Sequence, residues 1–248
     1  MNLISKAFGK RKKELVKHNI PTKVDMHSHL LPALDDGVQS YDESVELILE
    51  LKELGYEKLI TTPHIMGDMY RNYKKDILVE LEKLQIELSK RNIEIQLGVA
   101  AEYYIDEWFI ELIDKDEILS FNNNYVLIEL NFLSFHEELF KEAVFKLKIN
   151  GYKPIFGHPE RYTYFWDSFS RYEDIKDLEI SFQINLVSLS GFYSPKVKSI
   201  AEKLIDKEMV DFIGTDAHSM NYINAVKEAM LSPYMEKLAK LELLNKEL

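Results

Sequence analysis

The 248-residue sequence has no cysteine, only 9 glycines and 7 prolines, and no apolar run long enough to span a bilayer. Without cysteine there is neither a disulfide nor a thiol nucleophile, so any hydrolysis the chain performs must use another attacking group. No Gly/Ser/Pro-rich linker and no low-complexity stretch divides the chain, which at this length argues for one domain. The N-terminal stretch lacks the apolar core of a secretory signal, and the expectation is a cytoplasmic protein with no transmembrane segment. Positive charge is short as well: 31 Lys and Arg against 42 Asp and Glu leave a formal net charge of −11. A phosphate backbone calls for a basic surface, so nucleic acid is not the expected partner. Basic residues do gather in 1–20, at Lys6, Lys10, Arg11, Lys12, Lys13 and Lys17. That stretch reads as an N-terminal extension forming a solvated first helix, contact with an acidic partner or a membrane surface being the alternative. The single domain is expected over 21–248.

What the chain does have is an alternation. Apolar, β-branched runs occur at TKVDM, EKLITT, IEIQLGV, NYVLIEL, KPIFG, ISFQINL and VDFIGT. Between them lie helical patterns such as DESVELILELKELG, KKDILVELEKLQIELSKR, EELFKEAVFKLKING and SPKVKSIAEKLIDK. Gly55 and Gly151, with Lys52 and Lys148 just before them, mark helix C-termini, where glycine relieves the left-handed cap and a cation suits the negative end. A strand–helix series of this kind predicts a parallel sheet.

The polar residues fall at the ends of the apolar runs. Five of the seven histidines stand there: His27 and His29 in HSH, His64 in TTPH, His158 in GHPER and His218 in GTDAH beside Asp216. Glu102 in AAEYY and Glu129 in LIELN end two further runs. Imidazole and carboxylate groups offered one or two at a time by successive strands are what a multinuclear metal centre needs. In a closed barrel those strand ends converge on one mouth, whereas an open sheet gathers only the strands near its switch point. The fold expected is therefore α/β, a distorted seven-stranded (β/α)7 TIM-like barrel.

Each candidate has a plainer use. His27 and His29 are alternate residues and face alike, so they can clasp one ion; Asp216 and His218 repeat that spacing. Asp35 and Asp36, in the loop LPALDDG that closes on Gly37, could each serve as a ligand, an Asx turn or a cap for the helix near Asp42. A buried Glu102 or Glu129 without a cation would cost several kcal/mol, with a salt bridge to a strand Lys or Arg as the rival for Glu129. Arg161 in GHPER brings a planar fork that matches phosphate oxygens, or else pairs with Glu160 or another carboxylate. The aromatics Tyr103, Tyr104, Tyr162, Tyr164, Phe165 and Trp166 are candidates to flank a phenyl ring. His18 and His136 are expected on the surface, and the segments GDMYRNYKK and YTYFWDSFSRY are the ones long enough to reach over a site.

Taken together, HSHLLPALDDG, TTPHIMG, AAEYY, LIEL, GHPERY and GTDAHS resemble the motif series of the polymerase and histidinol phosphatase (PHP) superfamily. The closer likeness is to its bacterial metal-dependent protein-tyrosine phosphatases of the capsular and exopolysaccharide regulatory type. The resemblance implies three divalent ions, usually Mn²⁺, with Fe, Co or Zn also compatible with His/carboxylate donors. His27, His29, Glu102 and Asp216 would hold one ion; Glu102 would bridge to a second held by Glu129 and His158; Asp36, His64 and His218 would hold the third. It selects Asp36 over Asp35, makes Arg161 the phosphate-binding arginine, and assigns catalysis to Arg161, Glu102 and His218. The activity implied is hydrolysis of phosphotyrosine by metal-activated hydroxide, on a phosphotyrosyl protein such as the tyrosine-rich tail of a bacterial tyrosine kinase. A small-molecule phosphoesterase such as histidinol-phosphate phosphatase, or a non-catalytic interaction module, are the alternatives.

Overall fold

The computed structural model describes residues 18–248, and the basic cluster of 1–17 lies outside the described residues. The apolar runs form strands β1 (Val24–Asp25), β2 (Lys58–Thr61), β3 (His64–Ile65), β4 (Gln96–Val99), β5 (Glu102–Tyr104), β6 (Tyr125–Glu129), β7 (Lys153–Gly157), β8 (Ser181–Asn185) and β9 (Phe212–Gly214). Among the described residues eight α-helices accompany them: α1 (Tyr41–Leu54), α2 (Lys74–Lys90), α3 (Glu107–Asp114), α4 (Glu137–Ile149), α5 (Ser170–Asp177), α6 (Pro195–Asp206), α7 (Met220–Ala229) and α8 (Tyr234–Leu238). Helix α1 shows the local logic. Ser40 caps it, accepting from the Glu43 N–H, Val45, Leu47, Ile48, Leu51 and Leu54 are buried, and Gly55 ends it at φ 109 with its N–H on the carbonyls of Leu51 and Lys52. Losing such a Ser cap costs about 1 kcal/mol. The cap is Ser40, so neither Asp35 nor Asp36 serves that purpose.

All strand pairs are parallel, in two sheets ordered β1-β2-β4 and β3-β5-β6-β7-β8-β9. Where the sequence predicts one closed barrel, the strands are hydrogen-bonded as two sheets, neither of which closes on itself. Two runs break: β2 gives way to β3 at Thr62–Pro63, and β4 to β5 at Ala100–Ala101. Proline has no N–H to give to a ladder, and the neighbouring Thr62 N–H turns to the Ser28 carbonyl instead, at 2.7 Å. The pairing then resumes in step, Thr61 opposite Val99 before the break and His64 opposite Glu102 after it. On the other flank a lone parallel bridge, Ser28 to Ala217, joins the sheets.

The sheets share an interior. Met26, Ile60, Ala100, Leu127, Ile155 and Phe212 form one apolar cluster drawn from both, while the larger cluster packs the strands against the helices. Burying both faces is what parallel strands require. Beside the smaller cluster, the buried Asp25 carboxylate accepts from the Thr215 N–H and hydroxyl, both at 2.8 Å, tying β1 to the end of β9. Among the described residues no helix is long and apolar enough to cross a membrane.

Candidate metal centre

The donors stand at or beside strand ends. His27 and His29 follow β1, His64 opens β3, Glu102 opens β5, Glu129 closes β6, His158 follows β7, and Asp216 and His218 follow β9. His158 at φ 36 and Asp216 at φ 53 lie in the left-handed region, a conformation that costs a non-glycine residue on the order of 1–3 kcal/mol and clusters at working sites. Close packing leaves no choice at two glycines nearby. A Cβ on Gly37 would stand 2.5 Å from Cβ of His29, and one on Gly214 would stand 2.5 Å from Cβ of His27.

Hydrogen bonds fix how three rings face. Nδ1–H of His27 donates to Oε1 of Gln183 at 2.9 Å, Nδ1–H of His29 to Oδ2 of Asp35 at 2.8 Å, and Nδ1–H of His218 to the Asp216 carbonyl at 2.7 Å. Each bond leaves Nε2 free and aimed at carboxylates, the arrangement that orients imidazole ligands of metals. Nε2 of His27 is 3.0 Å from Glu102 and 3.3 Å from Asp216; Nε2 of His29 is 3.3 and 3.6 Å from the same two. Nε2 of His218 and Nε2 of His64 both lie 3.5 Å from Oδ1 of Asp36.

Glu102 is the hub. Besides His27 and His29 it faces Nε2 of His158 at 2.8 Å and Nδ1 of His64 at 3.3 Å. Glu129 stands 3.1 Å from Nδ1 of His64 and 3.9 Å from Nε2 of His158, with no Lys or Arg bridge to it among the described residues. All nine expected donors come together in four overlapping groups, each with its donor atoms within 4.8 Å of one another: His29, Asp36, His64 and His218; His27, His29 and Asp216; His27, Glu102 and His158; His64, Glu102 and Glu129.

Divalent cations fit this set. His29 Nε2 and His64 Nδ1, both facing the carboxylates, are buried without a hydrogen-bond partner, which native structures rarely tolerate. Without cations the cluster must take up protons. Burial alone would lower the His64 pKa, yet Glu129 and Glu102 carry it up to about 9. His27 and His29 are likewise raised against burial, by Glu102 and Asp216 and by Asp35 respectively. Burial would raise Glu102 and Asp216, but the imidazoles hold both well below the usual carboxylate range. A cation takes the place of such protons.

Arg161 follows the turn after β7 and donates to Oδ2 of Asp216 at 3.2 Å. Its expected rival Glu160 is buried elsewhere, accepting from the Asn185 N–H and the Ser188 hydroxyl. Oδ2 of Asp216 also accepts from Asn185 Nδ2 at 2.6 Å and the Tyr193 hydroxyl at 2.8 Å. Seven of the nine donors, all but the deeper His27 and His29, floor with Arg161 a cavity of about 180 Å³ whose walls include Met66, Met69, Tyr70, Phe132 and Tyr222. Tyr103, Tyr162 and Phe165 do not flank it: they are core residues, at most 1 % exposed, because their rings pack under the strands. Of the two long segments, the one after His64 reaches the cavity and the one after Arg161 does not line it. His136 is exposed, whereas His18 is half-buried against Glu236 at 3.5 Å, and neither joins the site. Sequence reasoning missed Gln183, Asn185 and Tyr193. The alternate polar residues in SFQIN, between apolar ones, were the available signal.

Fold and donors together define a parallel α/β protein with a candidate metal-binding constellation, and Arg161 beside it, at its strand ends. Comparison with known proteins gives the family. The profile described as capsular polysaccharide synthesis, CpsB/CapC, matches residues 23–239, and the chain belongs to that family. It is 28% identical over 203 residues to tyrosine-protein phosphatase YwqE of Bacillus subtilis, covering 81% of this chain and 79% of that one. It superposes with a TM-score of 0.76, at 27% identity over 83% of this chain and 84% of the other, on a chain from the crystal structures of YwqE from Bacillus subtilis and CpsB from Streptococcus pneumoniae, described as unique metal-dependent tyrosine phosphatases. Histidinol phosphate phosphatase from Lactococcus lactis, complexed with zinc, L-histidinol and phosphate, shares the fold at a TM-score of 0.55 and 19% identity, over 88% of this chain and 94% of the other.

Proposed function

We propose that this chain is a metal-dependent protein-tyrosine phosphatase that acts in the cytoplasm on a phosphotyrosyl protein, the tyrosine-rich tail of a kinase of capsule or exopolysaccharide synthesis. The observation that carries the reading is the convergence of five imidazoles and four carboxylates beside Arg161, with buried imidazole nitrogens left unpartnered. His27, His29, Glu102 and Asp216 would hold one ion, Glu102, Glu129 and His158 a second, and Asp36, His64 and His218 a third, Mn²⁺ being the expected metal. His29 also lies within reach of the third group. Residues 21–248 act as one domain.

When bound, divalent ions supply Lewis-acid activation of the attacking water and offset phosphate charge. The protein's own groups do the rest. Arg161 presents two N–H groups to non-bridging oxygens, where charge grows in the transition state. Asn185 and Tyr193 share the load on Asp216, which leaves the guanidinium available to substrate. A phenol leaves with a pKa of about 10, so its departure needs less help than that of an alkoxide. With no cysteine in the chain, direct hydrolysis is the route the residues support. Parallel turnover of a phosphotyrosyl peptide, a phosphoseryl peptide and histidinol phosphate is the test. Phosphotyrosine should be preferred, and a preference for histidinol phosphate would overturn the reading in favour of a small-molecule phosphoesterase.

A further inference from the structure

Three aromatic rings edge the cavity, and each stacks on a different imidazole of the donor set. Tyr70 lies on His64 at 5.7 Å and 14°, Phe132 on His158 at 5.7 Å and 28°, and Tyr222 on His218 at 5.0 Å and 29°. All three line the space above Arg161 and the carboxylates.

Phe132 stands out among them. It is 36 % exposed, and its ring lies 4.5 Å from the Arg161 guanidinium carbon. An exposed phenylalanine on a loose turn would call for no explanation, since scattered surface apolar residues are ordinary. This turn is not loose. Asn131 Oδ1 accepts the N–H of Leu133 at 2.7 Å and of Ser134 at 3.1 Å, while its Nδ2 donates to the Tyr104 hydroxyl at 2.9 Å. The Asn131 carbonyl accepts from the Tyr164 hydroxyl at 2.9 Å, and the Leu130 N–H donates to the Tyr162 hydroxyl at 2.9 Å. Tyr162 itself stacks beneath Phe132 at 5.3 Å and 21°. Three tyrosines thus hold in place a ring that remains partly open to solvent.

We infer that Phe132, with Tyr70 and Tyr222, forms an aromatic collar that grips the aryl group of an aryl phosphate ester seated on Arg161, and so selects aryl over alkyl phosphates. The inference rests on the phosphatase reading. A phosphoryl group on the cavity floor directs its ester oxygen outward, and whatever that oxygen carries must pass the three rings. A flat ring can stack or meet them edge on, whereas a serine methylene leaves their faces in water. Activated water does not itself discriminate between esters, so aryl preference has two sources, leaving-group ease and ring contact. A phosphonate cannot be hydrolysed here and isolates the second.

Calorimetric binding of phenylphosphonate and methylphosphonate to the metal-loaded full chain separates the terms. Wild type should bind the phenyl compound more tightly. Phe132→Ala should weaken phenylphosphonate by roughly five- to tenfold, the usual scale of an aromatic pair, and leave methylphosphonate within about twofold. Tyr70→Leu should act in the same direction, and circular dichroism with metal analysis checks that each variant is folded and loaded. Equal weakening of both phosphonates would overturn the collar, because Phe132 would then act through Arg161 alone. Unchanged binding in both variants would overturn it too. A wild type that prefers phenylphosphonate yet turns over no phosphotyrosyl peptide would defeat the phosphatase reading and leave the collar standing.

Discussion

Asp35 accepts the Nδ1–H of His29 on its Oδ2 at 2.8 Å, and neither side chain is exposed to solvent. The same oxygen accepts the His64 N–H at 2.9 Å, and Oδ1 accepts the Gly37 N–H at 2.9 Å. One carboxylate therefore ties two donor-bearing segments together, while its neighbour Asp36 stands 55% exposed beside His64 and His218. The two aspartates of DDG have separate work, orienting for the first and ligation proposed for the second.

Replacing Asp35 should accordingly damage metal binding without removing a ligand. Asp35→Ala is expected to lower metal affinity on the order of 10–100-fold, the usual cost of losing the group that orients a ligating imidazole. Metal titration by calorimetry reads this directly, and wild-type affinity in the variant would count against the orienting role.

Chelation should abolish phosphotyrosine turnover, and Mn²⁺ should restore it, while thiol alkylation leaves it untouched in a chain without cysteine. The melting temperature should fall on chelation as well, because ions that bind only the folded state stabilise it by mass action. Turnover that survives in verified metal-free protein would remove the mechanism. Elemental analysis showing at most one ion per chain at saturation would remove the trinuclear assignment.

Arg161→Ala separates chemistry from metal binding. The expected loss in kcat/KM is on the order of 10²–10³, the scale of one transition-state charge donor, with metal content close to wild type. Glu102→Ala, which deletes the hub of four imidazoles, should lose both metal and activity. Full activity in Arg161→Ala would return that side chain to a plain ion pair with Asp216.

The metal-free protein should be less stable in mild alkali. His64 titrates at about 9 in the folded, metal-free cluster, above the unfolded value of about 6.5. The folded state binds the proton more tightly, so this contribution is fully present below pH ~6.5 and is lost as pH rises through the folded value. The raised His27 and His29 act with the same sign. Metal binding displaces those protons, so metal affinity should rise across the same window. Melting curves of chelated protein that stay flat or climb between those pH values would contradict the assignment.

Much of this site was legible in the sequence because strand geometry is periodic. HSH and DAH are alternate residues, and alternation alone places His27 with His29 on one side of the chain. Parallel pairing then brings distant strand ends together, as with His64 opposite Glu102. The aromatic rim was not legible. Tyr162 and Phe132 are both aromatics in turns after strands, but one is buried and the other half-open, and nothing local distinguishes them. Gln183 and Asn185 were hidden for a related reason, since a polar residue in a strand declares its partner only after another strand has supplied it.

Asp25 and Thr215 lie 190 residues apart, and the Ser28–Ala217 bridge beside them is the seam across which the donor set is completed. Contacts so distant in sequence form late, after the intervening loop has been closed. His27 and His29 stand on one side of this seam and Asp216 and His218 on the other, so the two pairs meet only once it has formed. The full centre therefore has no foothold on a nascent or truncated product. A chain cut before β9 keeps its first histidines but lacks Asp216 and His218, so it cannot assemble the full donor set.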